Sequence, residues 1–192
     1  MTAPLPRRPA AFLDRDGTLV NDPGFQRDPS TVELLPGAAA AVARLNAAGF
    51  AVIVVTNQSG IARGLIAPEE YAAVERAITK RFAEEGARLD ATYHCPHYPA
   101  IGGPCECRKP GTLLYRRAAE EWHLDLSKSW GVGDRVSDLQ PVADLGGQGL
   151  LVCTGAGRKH EAEALAAGFP VLPDLPAAVD HILGSISRPG GP

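Results

Sequence analysis

Short apolar runs recur along the chain, and most of the longer stretches between them return an apolar side chain every three or four positions. The runs predict strands near residues 10–13, 50–55, 90–94, 129–132, 149–152 and 170–172. Four helices carry start and stop signals. Pro36-Gly37 opens an alanine-rich segment that Gly49 ends, and Pro68, followed by Glu69-Glu70, opens a run to Gly86. A third runs from about Thr112 to His123 and a fourth from about Ser137 to Leu145. Strands alternating with helices predict an α/β fold with a mainly parallel central sheet covered on both faces.

Composition leaves that picture intact and narrows the function. At 192 residues, with 45% hydrophobic and 21% charged side chains, the chain fits one domain over residues 10–184, between tails at 1–9 and 185–192. A net charge of -3, without a lysine or arginine run, argues against nucleic acid as a partner. The longest purely apolar run, Phe50 to Val55, is far too short to cross a bilayer, and no signal-peptide pattern follows Arg7 and Arg8. The expectation is a cytoplasmic monomer acting on a small molecule.

The first apolar run ends in Asp14-Arg15-Asp16-Gly17-Thr18. Two carboxylates two residues apart at a strand end, followed by a glycine turn, aim at a common opening suited to magnesium and phosphate. One acid can ligate the cation and attack phosphorus while the other gives or takes a proton. After the second strand, Thr56 and Asn57 offer hydrogen-bond donors to phosphoryl oxygens. Arg108 and Lys109 precede the third helix and supply positive charge, the arginine through its planar fork. After the fourth strand, Asp134 lies at a glycine-flanked turn and can complete an oxygen site for magnesium. Asp138, four residues on, is either a supporting partner or a first-turn acid favoured by the helix dipole.

Cys95-Pro96-His97 and Cys105-Glu106-Cys107 place three sulfurs and an imidazole either side of a short loop containing Gly102, Gly103 and Pro104. In a reducing compartment this set favours a closed, structural zinc site over disulfides, and such a site pins the segment carrying Arg108 and Lys109. A non-catalytic zinc module would explain these four ligands, yet it leaves Asp14, Asp16 and Asp134 without a purpose.

The four strand-end pieces, in this order, resemble the haloacid dehalogenase superfamily of phosphohydrolases over residues 10 to about 153. That resemblance implies a Rossmann-like three-layer sandwich with no large cap domain. It implies Asp14 as nucleophile, Asp16 as general acid and base, Thr56 and Lys109 as phosphoryl-binding residues, and Asp14, the Asp16 carbonyl and Asp134 as magnesium ligands. Within the superfamily, the stretch Asn57–Gly64 together with Cys-Pro-His and Cys-x-Cys-Arg-Lys-Pro looks like small capless sugar-phosphate phosphatases with a zinc-held loop, in which Arg108 grips the substrate. An acid two residues after the nucleophile favours ester hydrolysis, because an alkoxide leaving group needs a proton and a halide does not. The loop Tyr98–Pro104 is short for one type within this group and nearer the histidinol-phosphate type, and the resemblance places it beside the leaving group, so it bears on substrate choice.

Overall fold

The computed structural model describes residues 6–186. Six strands, β1 (Ala10–Leu13), β2 (Ala51–Asn57), β3 (Ala91–Cys95), β4 (Trp130–Gly133), β5 (Gln148–Val152) and β6 (Val171–Leu172), form one parallel sheet of order β3-β2-β1-β4-β5-β6. Each lies where the apolar runs predict it. The strands read as unbroken apolar runs because both faces are buried. Ala11, Leu13, Val52 and Val54 face one core layer, while Ala10, Phe12, Ala51, Ile53 and Val55 face the other.

Among the described residues eight α-helices connect and flank the strands: α1 (Ala38–Ala47), α2 (Ser59–Ala62), α3 (Pro68–Glu84), α4 (Pro99–Gly102), α5 (Leu113–Glu121), α6 (Val136–Asp144), α7 (Gly157–Ala166) and α8 (Leu175–Ile186). The first core layer gathers Val42 and Leu45 of α1, Val74, Ile78 and Phe82 of α3, and Val179 and Ile182 of α8. Leu114, Tyr115 and Ala118 of α5 cover the opposite face. Proline at its first position and Glu70 Oε2, which accepts from Ala67 N at 2.8 Å, start α3. Its buried stripe, Tyr71, Val74, Ile78 and Phe82, returns every three or four residues. Each such side chain contributes about 1.5–3 kcal/mol of burial before ordering entropy is subtracted.

Three features depart from the sequence expectation. The short helices α2 and α4, and α7 and α8 after β5 and β6, lie beyond the four helices with clear signals. Ser185 and Ile186, expected in a tail, complete α8, with Ser185 Oγ donating to Ile182 O at 2.6 Å; the remainder of that tail lies outside the described residues. Before β1, Arg8 is docked: its N–H donates to His123 O, its carbonyl accepts from Asp125 N at 2.9 Å, and its guanidinium stands over Trp122. Residues 1–5 of the expected N-terminal tail also lie outside the described residues.

The sheet order reverses between β1 and β4, the place where open α/β sheets leave a crevice beyond their strand ends. Leu13 pairs with both Val54 and Val132, so the residues that follow β1, β2 and β4 emerge side by side at this crevice.

Candidate active site

Asp14 stands at the mouth of the crevice, anchored by its N–H to Val132 O at 2.9 Å. Its Oδ1 accepts from Lys109 Nζ at 2.6 Å. The same ammonium reaches Asp138 Oδ1 at 2.8 Å and Val55 O at 2.7 Å. Three donors thus meet three protein oxygens, and Lys109 works as a fixed positive charge with little freedom to reach out for a ligand. Asp138 is the acid whose part the sequence left open. As the third residue of α6 it accepts from Arg135 N through Oδ2 at 3.0 Å, which caps the helix, and its other oxygen holds Lys109.

Asp134 Oδ2 accepts from Ala156 N at 2.7 Å, whereas its Oδ1 is buried without a hydrogen-bond partner. The carboxylate lies over Gly17 and Gly155, where an added Cβ would come within 2.5 and 2.3 Å of Oδ2. Both glycines have positive φ, +82° and +54°, so the turns and the close approach both need glycine. Carboxylate oxygens of Asp14, Asp134 and Asp138 lie within 4.8 Å of one another. Three buried acids face one ammonium, and the Asp134 oxygen that lacks a hydrogen bond, with Arg135 Nε 3.6 Å away, can ligate a cation. An oxygen-rich site with this deficit fits a magnesium ion.

The electrostatics agree. Burial pushes the Asp14 carboxyl up to about 8 against the pull of Lys109, and Asp138, Asp16 and Asp134 add to the rise. Burial also raises Asp134, opposed by the Ala156 N–H. Burial works against the Lys109 charge, but Asp138 and Asp14 outweigh it and hold the ammonium protonated.

Asp16 lies outside this group of three acids but lines the same cleft. Its carboxylate accepts from Arg15 Nε at 3.0 and 3.1 Å, from Gln58 Nε2 at 2.8 Å and from Thr56 Oγ1 at 3.4 Å. Thr56 and Asn57 stand at the site in a different manner from a pair of free donors. The Thr56 hydroxyl accepts from Gln58 at 2.9 Å, and the Asn57 amide clips the Lys109 backbone in both directions, at 3.0 and 3.3 Å. Asn57 therefore secures Lys109. Gln58, which the sequence reading passed over, is 5% exposed and joins Thr56 to Asp16. Only its position beside Thr56 and Asn57 in the strand-end turn signalled it.

A cleft of about 300 Å³ opens over these groups, lined also by Phe25, Arg108, Arg135 and Ser137. Arg108 contacts His97 O at 3.4 Å and borders the cleft from the cysteine side. The four predicted zinc ligands do converge. Cys95, Cys105 and Cys107 sulfurs are 3.1–3.7 Å apart, and His97 Nδ1 is 3.1 Å from Cys107 Sγ. Tetrahedral zinc with bonds of about 2.3 Å to sulfur separates its sulfurs by roughly 3.8 Å, whereas a disulfide requires about 2.05 Å. The four ligand atoms lie within 4.8 Å of one another, an arrangement that suits a tetrahedral metal site. Neighbouring His94 is packing: its ring lies 4.2 Å from that of Tyr71. Cys153 is half-buried just past β5.

A family pattern described as haloacid dehalogenase-like hydrolase matches residues 24–141, and one described as HAD-hydrolase-like matches residues 106–178. The chain belongs to the haloacid dehalogenase-like hydrolases and, among them, to the phosphoric monoester hydrolases. The D-glycero-beta-D-manno-heptose-1,7-bisphosphate 7-phosphatase of Bordetella bronchiseptica is 40% identical over 174 residues, 90% of this chain and 96% of that protein. The enzyme of the same name from Escherichia coli K12 is 38% identical over 185 residues, 93% of this chain and 90% of its own. A crystal structure of D,D-heptose 1,7-bisphosphate phosphatase from B. bronchiseptica, complexed with magnesium and phosphate, superposes with a TM-score of 0.84 at 38% identity, covering 92% of this chain and 99% of that one.

Proposed function

We propose that the protein is a magnesium-dependent phosphatase that removes the 7-phosphate of D-glycero-D-manno-heptose 1,7-bisphosphate through an aspartyl-phosphate on Asp14. One observation carries the reading: a buried carboxylate at the end of β1 is fixed by a saturated ammonium beside two further acids, with another acid two residues along the chain. The relatives' names support the substrate, and the short cleft suits a small sugar phosphate.

Asp14 attacks phosphorus in line; the bond from phosphorus to the sugar oxygen breaks as Asp16 protonates that oxygen. Asp16 then takes a proton from water, which attacks phosphorus and releases phosphate, returning Asp14 as a carboxylate. Lys109 offsets negative charge throughout, and Arg108 grips the substrate at the cleft wall. Asp14, the Asp16 carbonyl and Asp134 would hold magnesium, which supplies charge stabilisation and orientation to the phosphoryl group. Zinc on Cys95, His97, Cys105 and Cys107 would be structural. The reading places a monomer in the cytoplasm; among the described residues no helix is long and apolar enough to cross a membrane.

The test is phosphate release from the heptose bisphosphate, compared with histidinol phosphate and p-nitrophenyl phosphate, with and without Mg²⁺. The bisphosphate is expected to have the highest kcat/KM, and activity is expected to vanish in magnesium-free buffer and return on adding the ion. A higher efficiency on histidinol phosphate would reject the substrate, and full rate without magnesium would reject the mechanism.

Cys105→Ser is expected to cut bound zinc well below one per chain and to lower Tm by roughly 5–10 °C. Elemental analysis and a thermal melt check this. Unchanged zinc stoichiometry would remove Cys105 from the ligand set.

A further inference from the structure

Arg15 separates the two catalytic acids in the sequence, yet its side chain turns away from the cleft and is the largest fully buried one among the described residues. One edge of its guanidinium faces Asp16, through Nε at 3.0 Å and a second nitrogen at 3.0 Å. The other edge donates to Glu75 Oε1 on α3 at 2.6 Å. The Tyr71 ring lies beneath the guanidinium at 5.7 Å. An ordered path therefore runs from α3 through Glu75 and Arg15 to the carboxylate of Asp16, with Gln58 bracing the far side of that carboxylate.

Stability alone does not account for this arrangement. A buried ion pair seldom outdoes apolar side chains of the same volume, and any pair would satisfy Arg15 if charge were all that mattered. A planar fork with one edge on each of two carboxylates does more: fixing one edge fixes the direction of the other. Proton transfer to a departing oxygen depends on such aim, because a misplacement of about 1 Å at a reacting group costs orders of magnitude in rate.

We infer that Glu75 is a positioning residue for proton transfer, acting through the buried Arg15 guanidinium to orient the Asp16 carboxylate. The inference rests on the reading of Asp16 as general acid and base. Without the Glu75 carboxylate the guanidinium edge is free to turn, and Asp16 loses its bearing while Asp14, Lys109 and Asp134 keep theirs.

Leaving-group dependence tests this. A sugar alkoxide needs the proton from Asp16, whereas p-nitrophenolate departs without one. In saturating Mg²⁺, Glu75→Gln is expected to lower kcat/KM for the heptose bisphosphate about 10- to 100-fold and that for p-nitrophenyl phosphate less than about threefold. Glu75→Asp, which keeps the charge, should recover part of the loss. Arg15→Lys, which keeps charge but lacks the fork, should show the same split and decides the matter if Glu75→Gln does not fold. An equal fall on both esters, or none on the sugar ester, overturns the inference. Asp16→Asn is run alongside: if that variant keeps full sugar-ester turnover, the general-acid reading itself fails, whereas its loss beside an unaffected Glu75→Gln rejects only the role of Glu75.

Discussion

Asp14→Asn protein is expected to lose turnover by about ten-thousandfold or more while its metal-free form stands up to heat as well as the parent or better. An amide oxygen cannot form the acyl-phosphate, so loss of the covalent route is close to complete. Stability moves the other way because the site is overloaded with acid. Asp14 is buried beside Asp138 and Asp134, and its carboxyl titrates near 8 in place of the ordinary 3.8. The folded state then binds a proton that the unfolded chain has already released, so metal-free stability from this group is fully present below about pH 4 and is lost as pH rises toward 8. Asparagine removes the penalty. The stability gap between variant and parent should therefore widen in favour of the variant from pH 5 to pH 8, as read by denaturant melts. Magnesium should reverse the order by stabilising the parent more. A variant that turned over at the parental rate would remove the nucleophile from the mechanism. A gap that narrowed with pH would contradict the buried-acid account.

Much of this site was legible because strand ends are legible. An apolar run followed by an acid, a hydroxyl or a glycine turn locates Asp14, Thr56 and Asp134 at the same end of one parallel sheet before any coordinates exist, and the sheet brings them together. The cysteine spacing did the same for the cluster of Cys95, His97, Cys105 and Cys107. What stayed hidden depends on contacts that no local pattern encodes. Lys109 and Asp138 meet across the crevice, and Arg15 and Glu75 meet 60 residues apart through the packing of α3 against the sheet. Asn57 looked like a ligand for phosphate but hydrogen-bonds the Lys109 backbone, a choice set by the loop that returns from the cysteine cluster. Helix α7 was hard to see for a different reason: only Gly157 and Ala164 are buried, so its sequence carries almost no apolar stripe. Helix α8 does carry one, in Leu175, Ala178, Val179 and Ile182, and proline at its second position fits a helix start.

Lys109→Met should be the most damaging substitution for folding, and it should slow catalysis heavily as well. The side chains have similar length, so packing changes little, yet the ammonium that satisfies Asp14, Asp138 and Val55 O is gone. Two buried carboxylates are left facing each other with Asp134 nearby, and breaking a buried ion pair by removing one partner costs about 3–5 kcal/mol. For a chain of this size that corresponds to a fall in Tm of roughly 10 °C or more. Part of the loss should return at low pH, where the stranded acids are protonated, and part on adding Mg²⁺, which supplies positive charge to the same oxygens. Turnover should not return with it. The divalent ion restores net charge without restoring the tetrahedral grip that fixes Asp14 Oδ1, so a variant refolded in magnesium is expected to remain about a thousandfold slower than the parent. Melts across pH, with and without Mg²⁺, and single-turnover kinetics separate the two effects. Parental Tm in the metal-free variant would mean that Lys109 is not the counter-charge of the acid cluster, and recovery of full rate in magnesium would mean that its geometry is dispensable.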